Sequence, residues 1–170
     1  MCVIIACMNH YYKIITEYSY FRTVYDGDVA HIPAGTRVNA NSVHCNIAGE
    51  DPCKKLNIQR PVLHFCDSAF DSMLWHDGFF YMGDIVKAQI YEIKPLTPVF
   101  KERCLDELNI YQCGAQSIEF TNKVSMTDMY RRAIKEFREN QQAKLDMYPY
   151  FKIDKIIADW MNNEVSKYVY

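Results

Sequence analysis

The stretch Leu63-His64-Phe65-Cys66-Asp67 begins the part of the sequence that decides the fold, because a short strand leads there directly into a helix. The stretch Val62–Phe65 predicts the strand. Ser68 follows as a helix N-cap, with Asp71 three residues later as the acidic partner of a capping box. A short helix is predicted to follow, and Asp77-Gly78 is predicted to end it. Its buried side is predicted to consist of Phe70, Met73 and Leu74.

Two further stretches complete this central pattern. The first is Ile90-Tyr91-Glu92-Ile93-Lys94-Pro95-Leu96-Thr97-Pro98-Val99. Val86–Ile93 predicts a strand, and Pro95 and Pro98 prevent it from continuing as an interior strand. The second is Tyr111-Gln112-Cys113-Gly114-Ala115-Gln116-Ser117-Ile118-Glu119-Phe120, where Gln116–Phe120 is the last clear strand. The chain up to Phe120 is therefore predicted to be rich in strands.

The region before the central pattern also favours short strands. Cys2–Cys7 is an apolar run, and Tyr11–Tyr18 is rich in aromatic and β-branched residues. Val29–Ile32 predicts another strand, and Pro33-Ala34-Gly35-Thr36 predicts the turn after it.

The region after Phe120 is helical in pattern. Ser125 is an N-cap candidate with Asp128 at the N3 position, and apolar residues then recur every three or four positions up to Phe137. Pro149 interrupts, and the same spacing returns from Ile153 to Met161. We therefore predict one α+β domain over 1–170, with a strand-rich body over 1–120 and a C-terminal extension of two helices over 121–170.

Composition excludes several classes of protein. With 49% apolar residues among 170, the chain can bury a core, so it is not expected to be disordered as a whole. Nineteen basic and 21 acidic residues give a net charge of -2, which provides no electrostatic reason for strong sequence-independent binding of nucleic acid. The run Cys2–Met8 is too short to cross a bilayer and lacks the features of a signal peptide, so no membrane partner is expected.

The seven cysteines favour free thiols in a reducing compartment, and hence a cytoplasmic protein. Their number is odd and no pair has the C-x-x-C spacing that structural zinc sites usually show. Metal binding through His44-Cys45 with Cys53, or through His64 with Cys66, is the less favoured alternative. We therefore expect the chain to hold no metal.

The order of the three central segments resembles the ADP-ribosyltransferase-like fold, and in particular the small rifamycin-inactivating ADP-ribosyltransferases. Asp71 and Trp75 match an Asp four residues before a Trp in that family, and Ile90 to Pro98 matches its Ile-Tyr-x-x-x-Pro-x-x-Pro strand. The segment from Tyr111 to Phe120 matches a Tyr-containing segment that leads into an apolar strand. The resemblance covers about a third of the chain. It implies a split, twisted body of antiparallel or mixed β-sheets with a cleft that holds NAD.

The resemblance also implies a chemistry, the cleavage of the bond between nicotinamide and ribose with NAD as substrate. Glu119 would stabilise the developing cation, and His64 would orient NAD on the strand beside the cleft. Contacts to NAD would come from Phe65, Tyr91, Tyr111 and Ser117. The acceptor of ADP-ribose would be a protein, a nucleic acid or a small molecule.

Departures from the family leave a second hypothesis open. Residues 11–17 contain no His-Gly-Thr triplet, and Phe65 stands where the family has a tyrosine. The ordinary alternatives are that Glu119 is a surface strand residue, that His64 is structural, and that Phe65 and Tyr91 belong to the core. The chain would then be a non-catalytic binding or accessory protein on the same scaffold. It would contact a protein partner through its C-terminal helices or through a tyrosine-rich surface formed by Tyr11–Tyr25 and Tyr168–Tyr170.

Overall fold

A computed structural model describes residues 9–16, 32–40, 63–81, 88–103, 111–149 and 151–166. Several expectations fall elsewhere: the strand Cys2–Cys7, nearly all of Val29–Ile32, the tyrosines at 168–170 and the candidate metal ligands at 44–53 lie outside the described residues. The predicted turn at Pro33–Thr36 is confirmed. Thr36 N donates to Pro33 O at 3.2 Å, and Gly35 has a φ of 85°, which suits glycine.

The described part of the chain is a mixed α+β structure, as predicted. Its strands are β1 (Tyr11–Thr16), β2 (Arg37–Asn39), β3 (Leu63–Phe65), β4 (Ala88–Pro95), β5 (Phe100–Arg103), β6 (Tyr111–Ala115) and β7 (Ser117–Val124). Its helices are α1 (Ala69–Tyr81), α2 (Met126–Glu139), α3 (Gln141–Met147) and α4 (Ile153–Ser166). None of the helices in the described ranges has both the length and the apolar character needed to cross a membrane.

The strands form two antiparallel sheets. The first sheet has the order β1-β4-β7-β2, and the second has the order β3-β6-β5. The third central segment connects the other two, because β6 pairs with β3 and β7 pairs with β4. An isolated bridge between Tyr12 and Cys66 joins the edge strand β1 to the residue after β3.

Two apolar clusters cover the two faces of the first sheet. The first core contains residues of the sheet and of the helices, including Tyr12, Ile90, Phe70, Met73, Ile134 and Trp160. The second core contains residues of both sheets, including Ile15, Tyr91, Ile118, Phe120, Phe65 and Cys113. The helices after residue 120 thus share one core with the strands instead of forming an appendage.

The start of α1 follows the prediction and its end does not. Asp71 N donates to Ser68 Oγ at 3.0 Å, so the predicted N-cap is confirmed. The predicted capping-box role of Asp71 is wrong, because its carboxylate accepts a hydrogen bond from the hydroxyl of Tyr148. The predicted end at Asp77-Gly78 is also wrong. The carboxylate of Asp77 accepts from Trp160 Nε1 of α4, and this tertiary contact holds the helix where local sequence predicts a break.

The C-terminal region has three helices, where two were predicted. The N-cap of α2 is confirmed, since Asp128 N donates to Ser125 Oγ at 3.1 Å, and the predicted apolar stripe of that helix is buried. The additional helix is α3, which buries none of its residues and therefore has no apolar periodicity to reveal it. Asn140 ends α2 and at once begins α3.

Candidate functional site

Phe65 and Tyr91, the two aromatic residues expected to hold nicotinamide, lie together in the second core. They are only 3% and 1% exposed. The Phe65 ring meets Tyr11 edge-on with 5.4 Å between centroids, and the Tyr91 ring meets Phe120 in the same manner at 5.4 Å. The Tyr91 hydroxyl donates to Gln89 Oε1 at 2.7 Å and accepts from the backbone N–H of Ile32 at 3.1 Å. Both side chains therefore make the contacts of structural core residues.

Glu119 lies on the other face of the first sheet. It alternates along β7 with Ile118 and Phe120, which are buried in the second core, so its side chain projects away from that core. Glu119 Oε2 pairs with Arg37 Nε at 2.7 Å, and the two side chains are 21% and 71% exposed. Lys94 is the residue opposite Glu119 on β4. Glu119 thus lies in a row of charged residues across three strands. Arg37 is opposite it on β2, and Lys94 is opposite it on β4.

Ser117 shares a face of β7 with Glu119, as predicted, and its backbone fixes the start of the strand. Its N–H donates to Thr97 Oγ1 at 3.1 Å, and its carbonyl accepts from Leu96 N at 2.8 Å. These bonds attach the loop after β4 to β7. The described contacts of Ser117 are therefore those of a strand terminus.

Tyr111 belongs to the first core and not to the core that contains Phe65 and Tyr91. Its ring meets Tyr148 edge-on at 6.1 Å, and the Lys101 ammonium lies 5.3 Å from the ring centroid. Lys101 in turn pairs with Asp67 at 2.9 Å. Hydrogen bonding and charge attraction from Asp67 raise the pKa of Lys101 despite its partial burial, so Lys101 is a cation at neutral pH.

His64 lies on β3 opposite Gly114 of β6, and both nitrogens of its ring are buried. Its backbone carbonyl accepts a hydrogen bond from Lys13 Nζ at 2.6 Å. The main chain of His64 therefore contributes to the contact between β3 and β1.

Lys13 is a buried cation that sequence reasoning missed. The residue is partly exposed, but its ammonium group is enclosed by protein, and this burial lowers its pKa to about 8. Alternation along β1 places Lys13 on the same face as Tyr11 and Ile15, toward the second core. A lysine at an inward position of an apolar strand was the signal available in the sequence.

The described thiols are poor nucleophiles. Cys66 and Cys113 are free and buried, as expected for thiols that pack as small apolar side chains. Burial raises the pKa of Cys113 to about 12 and raises that of Cys66 well above its usual range. Both thiols are thus protonated at neutral pH. Within the ranges described, no three His, Cys, Asp or Glu residues form a group that could hold a metal ion.

The six candidate residues therefore occupy four separate environments. Phe65 and Tyr91 share the second core, whereas Glu119 and Ser117 share the opposite face of β7. Tyr111 packs against the first core, and His64 faces Gly114 across the second sheet. Comparison of the chain with protein-family models, with curated proteins and with solved structures gives no match.

Proposed function

We propose that this protein is a degenerate member of the ADP-ribosyltransferase-like fold that acts by binding a protein partner and does not cleave NAD. One observation carries the proposal: Phe65 and Tyr91 are packed in the second core, while Glu119 projects from the other face of β7. The residues that would stack on nicotinamide and the residue that would stabilise the ribosyl cation are thus separated by the sheet.

Cleavage of NAD requires these groups to be close together. A carboxylate stabilises a developing cation only when it lies within a few ångströms of the reacting carbon. The row formed by Arg37, Glu119 and Lys94 has a simpler explanation, because opposite charges at directly opposed positions on neighbouring strands stabilise an antiparallel sheet.

The arrangement of the sheets supports the ADP-ribosyltransferase-like fold that we propose. Two antiparallel sheets that share a core are in keeping with the split body that the resemblance implies. The segment from Tyr111 to Phe120 pairs through β6 with the first central segment and continues directly into β7, which pairs with the second. The three segments that carry the resemblance are therefore neighbours in space.

An NAD-dependent ADP-ribosyltransferase is the second candidate, and one observation favours it. Glu119 and Ser117 share a face of β7 with a cationic residue opposite Glu119 on each side, Arg37 on β2 and Lys94 on β4. Arg37 and Lys94 would hold the pyrophosphate of NAD, and the carboxylate of Glu119 would stabilise the ribosyl cation. ADP-ribose would then pass to a protein, a nucleic acid or a small molecule.

Incubation with NAD distinguishes the two candidates. The binding protein should release no nicotinamide, and its unfolding temperature should not change with NAD concentration. A ligand at 100 times its dissociation constant would add about 2.7 kcal/mol, which a thermal scan detects readily. Glu119→Gln is the informative variant, and Glu139→Gln is a matched control because Glu139 is an exposed residue of α2.

Release of nicotinamide by the wild type and by Glu139→Gln, but not by Glu119→Gln, would refute the first proposal and support the second. Binding is tested separately with the partner once it is isolated by affinity capture. Glu119→Gln should bind that partner as tightly as the wild type, since the expected contact surfaces are the C-terminal helices and the tyrosine-rich surface and do not include Glu119.

A further inference from the structure

Met161 of α4 differs in its exposure from the other methionines that the structure describes. It is 41% exposed, whereas Met73 and Met129 are completely buried. Met126 and Met147 are partly buried and pack against the first core. A thioether is oxidised only when a peroxide can reach its sulfur, so Met161 is the described methionine that is most open to oxidation.

The sulfur of Met161 lies beside a cation. Nη2 of Arg138, in the last turn of α2, donates to Sδ of Met161, with 3.8 Å between the two atoms. A neutral thioether is only a weak acceptor, and a guanidinium carries several N–H donors in a fixed plane. Arg138 therefore points a strong, charged donor at an atom that makes poor use of it.

We propose that Met161 is a site of reversible oxidation by hydrogen peroxide, and that Arg138 holds the oxygen of the resulting sulfoxide. A lone pair of the sulfur attacks one oxygen of the peroxide, so an S–O bond forms while the O–O bond breaks. The proton on the attacked oxygen passes to the departing hydroxide, which leaves as water. The sulfur is thereby oxidised and the peroxide reduced, and a methionine sulfoxide reductase reverses the change.

Oxidation changes the contact between α2 and α4. The sulfoxide oxygen carries partial negative charge, so the Arg138 guanidinium donates to it more strongly than to the neutral sulfur. The modification therefore ties the last turn of α2 to α4, and it replaces an exposed apolar side chain on the helical surface with a polar one. This consequence does not depend on whether the protein binds a partner or cleaves NAD.

Peroxide treatment of the folded wild-type chain tests whether Met161 is the site. A thiol reductant added afterwards reverses the milder oxidation of cysteines and leaves sulfoxides intact, and peptide mass spectrometry then gives the rate at each methionine. Met161 should be oxidised at least about tenfold faster than Met73 and Met129, and the three rates should converge in concentrated urea. Equal rates in the folded chain would overturn the proposal.

Urea denaturation of the oxidised and untreated proteins tests the role of Arg138. Oxidation should raise the ratio of folded to unfolded protein about twofold to fivefold more in the wild type than in Arg138→Gln, as for a charged contact at an exposed site. Lys135→Gln removes an exposed cation from the same helix and should respond to oxidation as the wild type does.

Met161→Leu separates this effect from oxidation elsewhere in the chain. Because leucine has no sulfur, the difference in response between Arg138 and Arg138→Gln should disappear in that background. A methionine sulfoxide reductase should return the oxidised wild type to its untreated stability. The proposal is overturned if oxidation changes the wild type and Arg138→Gln equally, or if the difference between them persists in Met161→Leu.

Discussion

Glu136 of α2 accepts a hydrogen bond from the backbone N–H of Phe70 in α1, with 2.8 Å between Oε2 and N. Its other oxygen accepts from Ala69 N at 3.1 Å. A carboxylate from one helix thus caps the N-terminus of another, where the helix dipole favours negative charge. Burial nevertheless raises the pKa of Glu136 above its usual value, because desolvation outweighs the two hydrogen bonds.

Glu136→Ala should lower the free energy of unfolding by about 1–3 kcal/mol, since two backbone donors at the start of α1 lose their acceptor. Urea denaturation at pH 7 measures the change. Glu139→Ala removes an exposed carboxylate from the same helix and should change the stability by no more than about 0.5 kcal/mol. Equal effects of the two substitutions would contradict the capping role of Glu136.

The raised pKa of Glu136 determines how its contribution to stability changes with pH. Folded protein holds the Glu136 proton more tightly than unfolded protein, so its contribution to stability is largest below pH 4.5 and falls as the pH rises through the folded pKa. Wild-type protein should therefore gain stability relative to Glu136→Gln as the pH is lowered toward 4.5. Urea denaturation of both proteins across that range tests the sign, and a relative loss would show that the hydrogen bonds outweigh burial.

Tyr148→Phe should destabilise the protein by about 1–3 kcal/mol, because the fully buried carboxylate of Asp71 loses its hydroxyl donor. The other carboxylate oxygen of Asp71, Oδ2, has no hydrogen-bond partner among the described residues, so the hydroxyl of Tyr148 is the donor on which this carboxylate depends. Burial and the nearby Asp71 raise the pKa of Tyr148, which keeps it protonated and able to donate.

A double-mutant cycle with Asp71→Asn separates this hydrogen bond from loss of packing. The neutral amide needs the hydroxyl less than a carboxylate does, so Tyr148→Phe should cost less in the Asp71→Asn background. Additive effects in thermal or urea unfolding would mean that the two side chains do not act as a pair.

Local chemistry allowed the sequence to predict several elements of this fold. Ser68 and Ser125 are helix caps because their hydroxyls accept from N–H groups only three residues away. The apolar stripe of α2 was equally visible, since a helix that packs on a core must repeat apolar residues every three or four positions. The helix α3 escaped prediction because none of its residues is fully buried, and only Leu145 and Met147 pack against the first core.

The candidate site was harder to predict, because it depends on how strands from distant parts of the chain are stacked. Alternation along β7 correctly places Ser117 and Glu119 on one face. It does not reveal which face of β7 is turned toward Phe65 on the second sheet. That choice is set by packing between the sheets, where Ile118 and Phe120 fill the second core beside Phe65 and exclude Glu119 from it.

Gly114→Ala should destabilise the protein by about 1–3 kcal/mol through overpacking. A Cβ atom at residue 114 would lie 2.3 Å from Cζ of Phe100, so the aromatic ring would have to move. Phe100→Ala removes that ring, and the double variant Gly114→Ala with Phe100→Ala should be more stable than the sum of the single effects predicts.

Gly35→Ala is the control for this rescue. No atom lies within 4 Å of a Cβ at Gly35, and its cost comes from a φ of +85°, which disfavours alanine. Phe100→Ala should therefore leave the effect of Gly35→Ala unchanged in the same unfolding assay. Failure of Phe100→Ala to rescue Gly114→Ala would mean that the second sheet needs the glycine for a reason other than the aromatic ring.

The free energy of unfolding of the wild-type protein should rise at alkaline pH, because Lys13 loses its charge there. Its pKa is lowered from 10.5 to about 8 on folding, so the unfolded chain holds the proton more tightly and unfolding is favoured wherever the lysine is charged. This contribution opposes folding fully below pH 8 and fades as the pH rises toward 10.5. Lys13→Met should therefore raise the free energy of unfolding at pH 7 by about 1–3 kcal/mol, since an apolar side chain replaces an enclosed charge. Urea denaturation of both proteins from pH 7 to pH 10 should show the two curves converging as the wild type loses its charge. Curves that stay parallel would place the Lys13 ammonium in contact with solvent or with a compensating anion.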